Sequence, residues 1–144
     1  MNRSMLAVRT TNLTIAEGTF EIRTPATTRC RVVRIEIEQA TATAQSLGFG
    51  NPAANGVTPT GILFQRCDPG DPASLINGAI AWSSTKPTAP SIFHARWNSA
   101  ANIGEGIIWD FGPVGGIICP ISDTLTVHNI TASVANDITC VIDE

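Results

Sequence analysis

The C-terminal stretch of the chain decides its fold class. Residues 104–144 read GEGIIWDFGPVGGIICPISDTLTVHNITASVANDITCVIDE and contain four apolar, β-branched runs, at residues 107–111, 116–119, 125–130 and 138–142. Glycine, proline, aspartate and asparagine separate the runs, and no run has the 3.6-residue period of a helix. The stretch therefore predicts short strands joined by turns.

The clearest strand of the first half covers residues 29–39, RCRVVRIEIEQ. Apolar residues alternate with charged ones, so the pattern predicts that Val33, Ile35 and Ile37 face a core and that the charged residues face the other way. Further strands are predicted at residues 5–8, 13–15, 19–23, 62–65, 79–82 and 92–97.

Long connections separate these strands. Residues 51–61 and 83–90 are rich in proline, glycine and asparagine, which is typical of surface loops. The Gly48-Phe49-Gly50 sequence indicates a turn or bulge, and Asp71-Pro72 predicts the start of a single helical turn over residues 73–76.

These features predict one all-β domain over residues 1–144. We expect a jelly-roll-like antiparallel β-sandwich with long loops and at most one short helical turn. Residues 1–11 are a candidate N-terminal arm that adds a strand to a neighbouring chain.

Composition excludes several functional classes. Charged residues make up 15% of the chain, against about 25% in typical proteins. The net charge of −3 predicts no binding to nucleic acid or to an anionic membrane. No apolar run approaches the ~20 residues of a membrane span, and the N-terminus does not resemble a secretory leader. A poorly charged surface suits a protein whose outside is covered by neighbours.

The sequence offers few residues for catalysis. His94 and His128 are each alone on a predicted strand, so we interpret them as surface histidines; the alternative is a metal site that pairs them with a carboxylate. Glu36 and Glu38, beside Arg34, are interpreted as a solvated strand face with cross-strand ion pairs; a catalytic pair of carboxylates is the alternative. We predict no catalytic residue, no cofactor and no metal, and hence no enzyme.

The four cysteines, and a pair of aspartates near Cys67, are also interpreted as structural residues. Cys30, Cys67, Cys119 and Cys140 lack CxxC spacing and are expected to be buried thiols; disulfides, a metal site, or Cys67 as a nucleophile beside a histidine are the alternatives. Asp68 and the aspartate three residues later indicate a turn, with calcium binding as the alternative.

Three tryptophans lie on different predicted strands, and the chain has no tyrosine. Trp82, Trp97 and Trp109 are expected in the core. Interface anchors or a sugar-stacking platform are the alternatives, because tryptophan is enriched in both.

Several segments carry a resemblance to a known group of proteins. They are LGFGNPAANGVTPTGILFQRCDPGDPA from Leu47 onward, then AWSSTKPTAP, FHARWN, IGEGIIWDFGPVGGIICP, LTVHNIT and the final VIDE. Together they resemble a family of small β-rich proteins from tailed bacteriophages and prophages.

The resemblance implies a non-enzymatic virion structural protein, made in the host cytoplasm and located on the capsid surface. Its nearest functional class is the decoration or cement protein that binds and stabilises the shell. The implied partners are the major capsid protein and further copies of the chain, with a homotrimer favoured and a dimer possible. The alternative is a carbohydrate-binding or structural module of a phage tail or fibre. The interface candidates are Met1, Met5, Leu6 and Val8, and, under the alternative to a core position, Trp82, Trp97 and Trp109.

Overall fold

The chain alternates between two antiparallel sheets. A computed structural model describes residues 2–131 and 133–144, so Met1, one of the predicted interface residues, lies outside the described part. The described strands are β1 (Arg3–Arg9), β2 (Gly18–Arg23), β3 (Cys30–Gln39), β4 (Ser46–Gly50), β5 (Ile62–Leu63), β6 (Gln65–Arg66), β7 (Asn77–Ala79), β8 (Ala95–Asn98), β9 (Gly106–Asp110), β10 (Ile117–Cys119), β11 (Thr124–Asn129) and β12 (Asn136–Asp143).

Sheet 1 has the order β10–β3–β12–β1–β6, with β9 beside β10 along the same edge of β3. Sheet 2 has the order β5–β7–β2–β11–β4–β8. The sheets bury one continuous apolar core between them, which includes Phe20, Ile35, Phe49, Leu125 and Ile138. The predicted all-β sandwich is therefore confirmed, whereas the jelly-roll connectivity stays a prediction.

Residues 3–9 of the predicted N-terminal arm form β1 of the chain's own sheet 1. β1 pairs with β12 over seven residues, from Arg3 opposite Asp143 to Arg9 opposite Asp137, and its other edge pairs with β6. Side chains alternate between the two faces of β1, and Leu6 points towards the core, where it is buried. The segment is therefore an internal strand of the chain's own sheet 1.

A bulge changes the phase predicted for β3. Val141 of β12 lies opposite Arg34 and the next residue, Ile142, lies opposite Val32, so Val33 is skipped. Val32 is fully buried in the core, while Val33 is only half-buried. A strict two-residue alternation places Val33 in the core because it assumes an unbroken ladder.

β4 contains the Gly48-Phe49-Gly50 sequence that was predicted as a turn. Gly48 and Gly50 leave room for the residue 92–93 segment, which lies across the strand. A side chain at Gly48 would come within 2.6 Å of the Phe93 ring. The glycines therefore permit a close approach of another segment and do not mark a turn.

The predicted helical turn at residues 73–76 is also wrong. The Leu75 N–H donates to Glu144 Oε2 at 3.3 Å, and the Ile76 N–H donates to Ser74 Oγ at 3.2 Å, so these groups are engaged elsewhere. Within the described residues, the one helical turn is a 3-10 turn at Gly112–Val114. It joins β9 to β10 and ends at Gly115, whose φ is 83°.

Candidate functional site

The outer faces of the two sheets differ in what covers them. On sheet 2, residues 51–61 and 83–94 fold over the strands, and the outward-facing side chains of Glu21, Thr126 and His128 are fully buried. On sheet 1, the outward-facing side chains of Arg34 and Glu38 are exposed. Sheet 1 therefore carries the surface that is open to a partner.

A buried polar cluster ties the loops to sheet 2. The Glu21 carboxylate accepts from Arg23 Nε at 2.7 Å and from Trp82 Nε1 at 3.1 Å. Arg23 also donates to the Gly56 carbonyl at 2.6 Å. All polar contacts of the cluster are internal, so its arrangement is that of a structural anchor.

The two histidines lie in different environments. His94 is exposed, with its Nε2 3.3 Å from Asn51 Oδ1, as predicted for a surface histidine. His128 is fully buried beneath the Phe93 ring, whose centroid is 5.9 Å away, so its prediction as a surface histidine is wrong. Burial lowers the pKa of His128 to about 4. Within the described part of the chain, neither ring nitrogen meets the geometry of a hydrogen bond, but the nearby Gly50 backbone raises the pKa and so offsets part of the effect of burial.

Three of the four cysteines are buried, as predicted, but Cys67 is exposed. Cys30 and Cys119 lie directly opposite each other on β3 and β10. A hydrogen bond with the Cys119 thiol, followed by burial, raises the pKa of Cys30 above its ordinary range, and burial raises that of Cys140. While they are buried in the closed fold, such thiols are poor nucleophiles, because the thiolate is the reactive form.

The acidic candidates have structural partners. Glu36 lies on the outer face of sheet 1, where its Oε1 is 2.9 Å from Arg34 Nη2. Asp68 accepts from the Gly70 N–H at 2.8 Å within its own turn. Among the residues that the structure describes, no group of three or more His, Cys, Asp or Glu side chains is placed to hold a metal ion.

The tryptophans do not share an exposed patch. Trp109 is buried in the sandwich core, Trp82 is buried against Glu21, and Trp97 is half-buried against the core. Trp82 and Trp109 therefore have little surface to offer a partner or a sugar.

The predicted interface residues of β1 are also mostly turned inward. Leu6 is buried, and Val8 is half-buried against the core. Met5 faces outward on sheet 1 and is 38% exposed. Met5 is thus the candidate on β1 with free surface.

Two ion pairs fix the outer face of sheet 1 where β1 meets β12. Arg3 and Asp143 form a two-pronged pair at 2.8 and 3.0 Å, and Arg9 and Asp137 form another at 2.8 and 2.7 Å. Hydrogen bonds from the guanidinium groups lower the pKa of both carboxyls. Each of these four charges is matched by a neighbour, so this part of the face is nearly neutral.

An exposed aliphatic row follows the opposite edge of sheet 1. We call it the aliphatic edge, and each member exposes more than half of its surface. Its members are Ile103, Ile108, Val114, Ile118 and Ile121. They lie before β9, on β9, in the 3-10 turn, on β10 and in the turn after β10.

Backbone groups are also free along this edge. In the described residues β9 pairs with β3 only. The Phe111 N–H donates to the Val33 carbonyl, and the Glu105 carbonyl accepts from the Gln39 N–H. Because bonding alternates along an antiparallel strand, Ile108 and the residues two before and two after it direct their N–H and C=O groups away from β3.

Sequence reasoning missed this surface. The strand over residues 107–111 was predicted, but periodicity does not reveal which strand ends a sheet. The signal that was present is the Ile107-Ile108 pair, because one of two consecutive strand residues must face away from the core.

No helix within the described residues is long and apolar enough to cross a membrane. Neither a family model, nor a curated protein, nor a solved structure matches the chain. The resemblance to phage structural proteins therefore stays a prediction.

Proposed function

We propose that this chain is a virion structural protein that decorates and stabilises a capsid shell. The observation that carries the proposal is the aliphatic edge, where exposed isoleucines coincide with unpaired strand backbone. Exposed apolar residues along a sheet edge favour an interaction site, and unpaired strand edges accept a further strand. The resemblance of residues 47–144 to phage proteins supplies the class of partner.

The edge suits a structural contact better than a reversible ligand site. Its side chains are aliphatic and extend over two strands and three connecting segments, whereas a ligand site is a concave pocket with a few polar groups. Burial of apolar surface contributes about 25 cal/mol per Å², from which the entropic cost of association is subtracted. A decoration protein that covers this edge by contact with the major capsid protein adds such area to the shell.

Two other parts of the surface are less suited to docking, although apolar side chains such as Ile15, Leu75 and Ile92 are also exposed outside the aliphatic edge. The outer face of sheet 2 is covered by the chain's own loops, and the β1–β12 side of sheet 1 is neutralised by the Arg3–Asp143 and Arg9–Asp137 pairs. Further copies of the chain, most simply as a homotrimer or a dimer, are the second class of partner.

The carbohydrate-binding alternative has less support. It requires tryptophans in one exposed patch, but Trp82 and Trp109 are buried. We therefore do not propose it as a second function.

Binding of edge variants to capsids tests the proposal. Purified heads of the tailed phage or prophage that encodes the sequence are stripped of this chain and titrated with it, and bound chain is measured after sedimentation. In the double variant Ile108→Lys/Ile118→Lys, two lysines must be desolvated on docking. We expect at least about tenfold weaker binding, which corresponds to ~1.4 kcal/mol.

The matched control is Ile15→Lys, because Ile15 is 56% exposed and Ile108 is 59% exposed, but Ile15 lies between β1 and β2. The control should saturate the heads like the unmodified chain. Equal thermal unfolding of all three proteins shows that the fold is intact. If the edge variant binds as tightly as the control, the aliphatic edge is not the docking surface.

A further inference from the structure

Cys30 and Cys119 are placed as a cross-strand pair. They are direct partners in the antiparallel register of β3 and β10, and both belong to the apolar core between the sheets. Direct partners on adjacent antiparallel strands have Cα atoms about 4.5–5.5 Å apart, which falls within the ~4.4–6.8 Å range of disulfides. Their side chains point to the same face of sheet 1, into the core.

The other thiols lack such a partner. Cys140 lies opposite Ile35 on β3 and Leu6 on β1. Cys67 is exposed in the segment after β6. The register therefore singles out one pair among the four cysteines.

The position of β10 gives an oxidant a route to this pair. β10 is three residues long and, in the described chain, pairs with β3 only. It follows Gly115 and Gly116, whose φ angles are 83° and 82°, and it precedes Pro120. Short edge strands open locally at lower free energy than the core, so Cys119 can become accessible without global unfolding.

We propose that Cys30 and Cys119 are a site of reversible oxidation, at which a low-molecular-weight disulfide such as oxidised glutathione converts them to a cross-strand disulfide. The inference rests on the register and is independent of the capsid role. Because Cys119 lies on the strand between Val114 and Ile121, the bond would fasten that part of the aliphatic edge to β3.

The reaction is a thiol–disulfide exchange in two steps. The Cys119 thiolate, formed by loss of its proton to water, attacks one sulfur of oxidised glutathione and expels the other half as a thiolate. While β10 is open, the Cys30 thiol is exposed to water and no longer has its hydrogen bond with Cys119, so it can lose its proton to water. The Cys30 thiolate then attacks the Cys119 sulfur of this mixed disulfide and expels the second glutathione as a thiolate. Two protein thiols are oxidised, one glutathione disulfide is reduced, and the two protons end on the two released glutathione thiols.

The test uses the full chain with Cys67→Ser, which removes the exposed thiol. The protein is equilibrated in a reduced and oxidised glutathione buffer, once folded and once in denaturant, and the thiols are then blocked. We expect a peptide that links Cys30 to Cys119, two fewer blocking groups on the linked chain than on the reduced chain, and at least about tenfold more linked protein when folded than when denatured. Reductant should reverse the change.

In a second experiment the denatured chain is refolded in the same buffer. Glutathione can then reach both thiols before β10 forms, so burial of the pair does not prevent the reaction. Cys140→Ser should leave the linkage intact, whereas Cys119→Ser should abolish it. The linked form should unfold at a Tm roughly 5–10 °C higher. The proposal is overturned if the linked fraction is no greater in the folded than in the denatured protein, or if Cys140 is the partner instead.

Discussion

Two glutamates form similar ion pairs, but burial makes their contributions to stability differ. Glu21 and Glu36 each pair with an arginine two residues away, at 2.7 and 2.9 Å. Glu21 is fully buried and also accepts from Trp82, whereas Glu36 is 38% exposed. Glu21→Ala should lower the free energy of unfolding by about 3 kcal/mol, because it leaves buried donors unpaired. Urea unfolding followed by tryptophan fluorescence measures the change.

Glu36→Ala is the matched control and should change stability by less than about 1 kcal/mol, since exposed ion pairs contribute little. Equal effects of the two variants would show that the loops over sheet 2 are not anchored through Glu21.

His128 should make stability depend on pH. Its pKa is lowered from 6.5 to about 4 in the folded chain, so between these values the unfolded state binds a proton that the folded state does not. The contribution of neutral His128 to the free energy of unfolding is therefore fully present above about pH 6.5. It is lost as the pH falls towards 4, by up to about 3 kcal/mol. Denaturant midpoints at several pH values measure the slope.

A His128→Leu variant should flatten this dependence, while His94→Leu, which changes the exposed histidine, should keep it. The paired carboxyls Asp137 and Asp143 have lowered pKa values and lose their contribution only at more acidic pH. An unchanged slope in His128→Leu would exclude His128 as its source.

The sequence correctly predicted burial for side chains that face the core between the two sheets. Trp109 and Phe111 were predicted on one buried face and are buried there. It failed for His128, because the outward side of β11 is covered by the residue 83–94 loop. Periodicity reports the phase of a strand but not what a distant loop covers.

Residues 1–11 were predicted as an N-terminal arm, but residues 3–9 form β1, an internal strand of sheet 1. Deletion of residues 1–11 should leave the chain without cooperative folding. It removes seven pairs with β12 and uncovers the core at Leu6, where loss of a single leucine side chain costs about 2–5 kcal/mol. Circular dichroism melting and the spread of amide NMR signals measure the outcome.

Met5→Ala is the control, because Met5 points outward and its loss leaves the strand pairing in place. A truncated chain that still unfolds in a single sharp transition would restore the arm interpretation.

The strands that sequence placed well are those with strong alternation. β2, β3, β11 and β12 were each predicted within two residues of their observed bounds. β4 was not predicted as a strand, because its two glycines indicated a turn or bulge. In the structure these glycines leave space for Phe93, which lies more than forty residues away in the sequence. A contact so distant in sequence has no local pattern.

For the whole molecule, sequence predicted the all-β class and one sandwich, because β-branched runs and turn residues repeat along the entire chain. It did not predict which sheet face is open or which strand ends the sheet. Both depend on strand order, which arises from pairings between distant segments such as β1 with β12 and β3 with β9. The aliphatic edge is therefore visible only in three dimensions.

The most direct test of the decoration role is the ratio of this chain to the major capsid protein in purified particles, measured by quantitative mass spectrometry. A protein that cements the shell at repeated lattice positions should be present in a copy number comparable with that of the capsid subunits, and should be released with the heads. Absence from the particles, or a copy number far below that of the capsid subunits together with release in the tail fraction, would contradict the account.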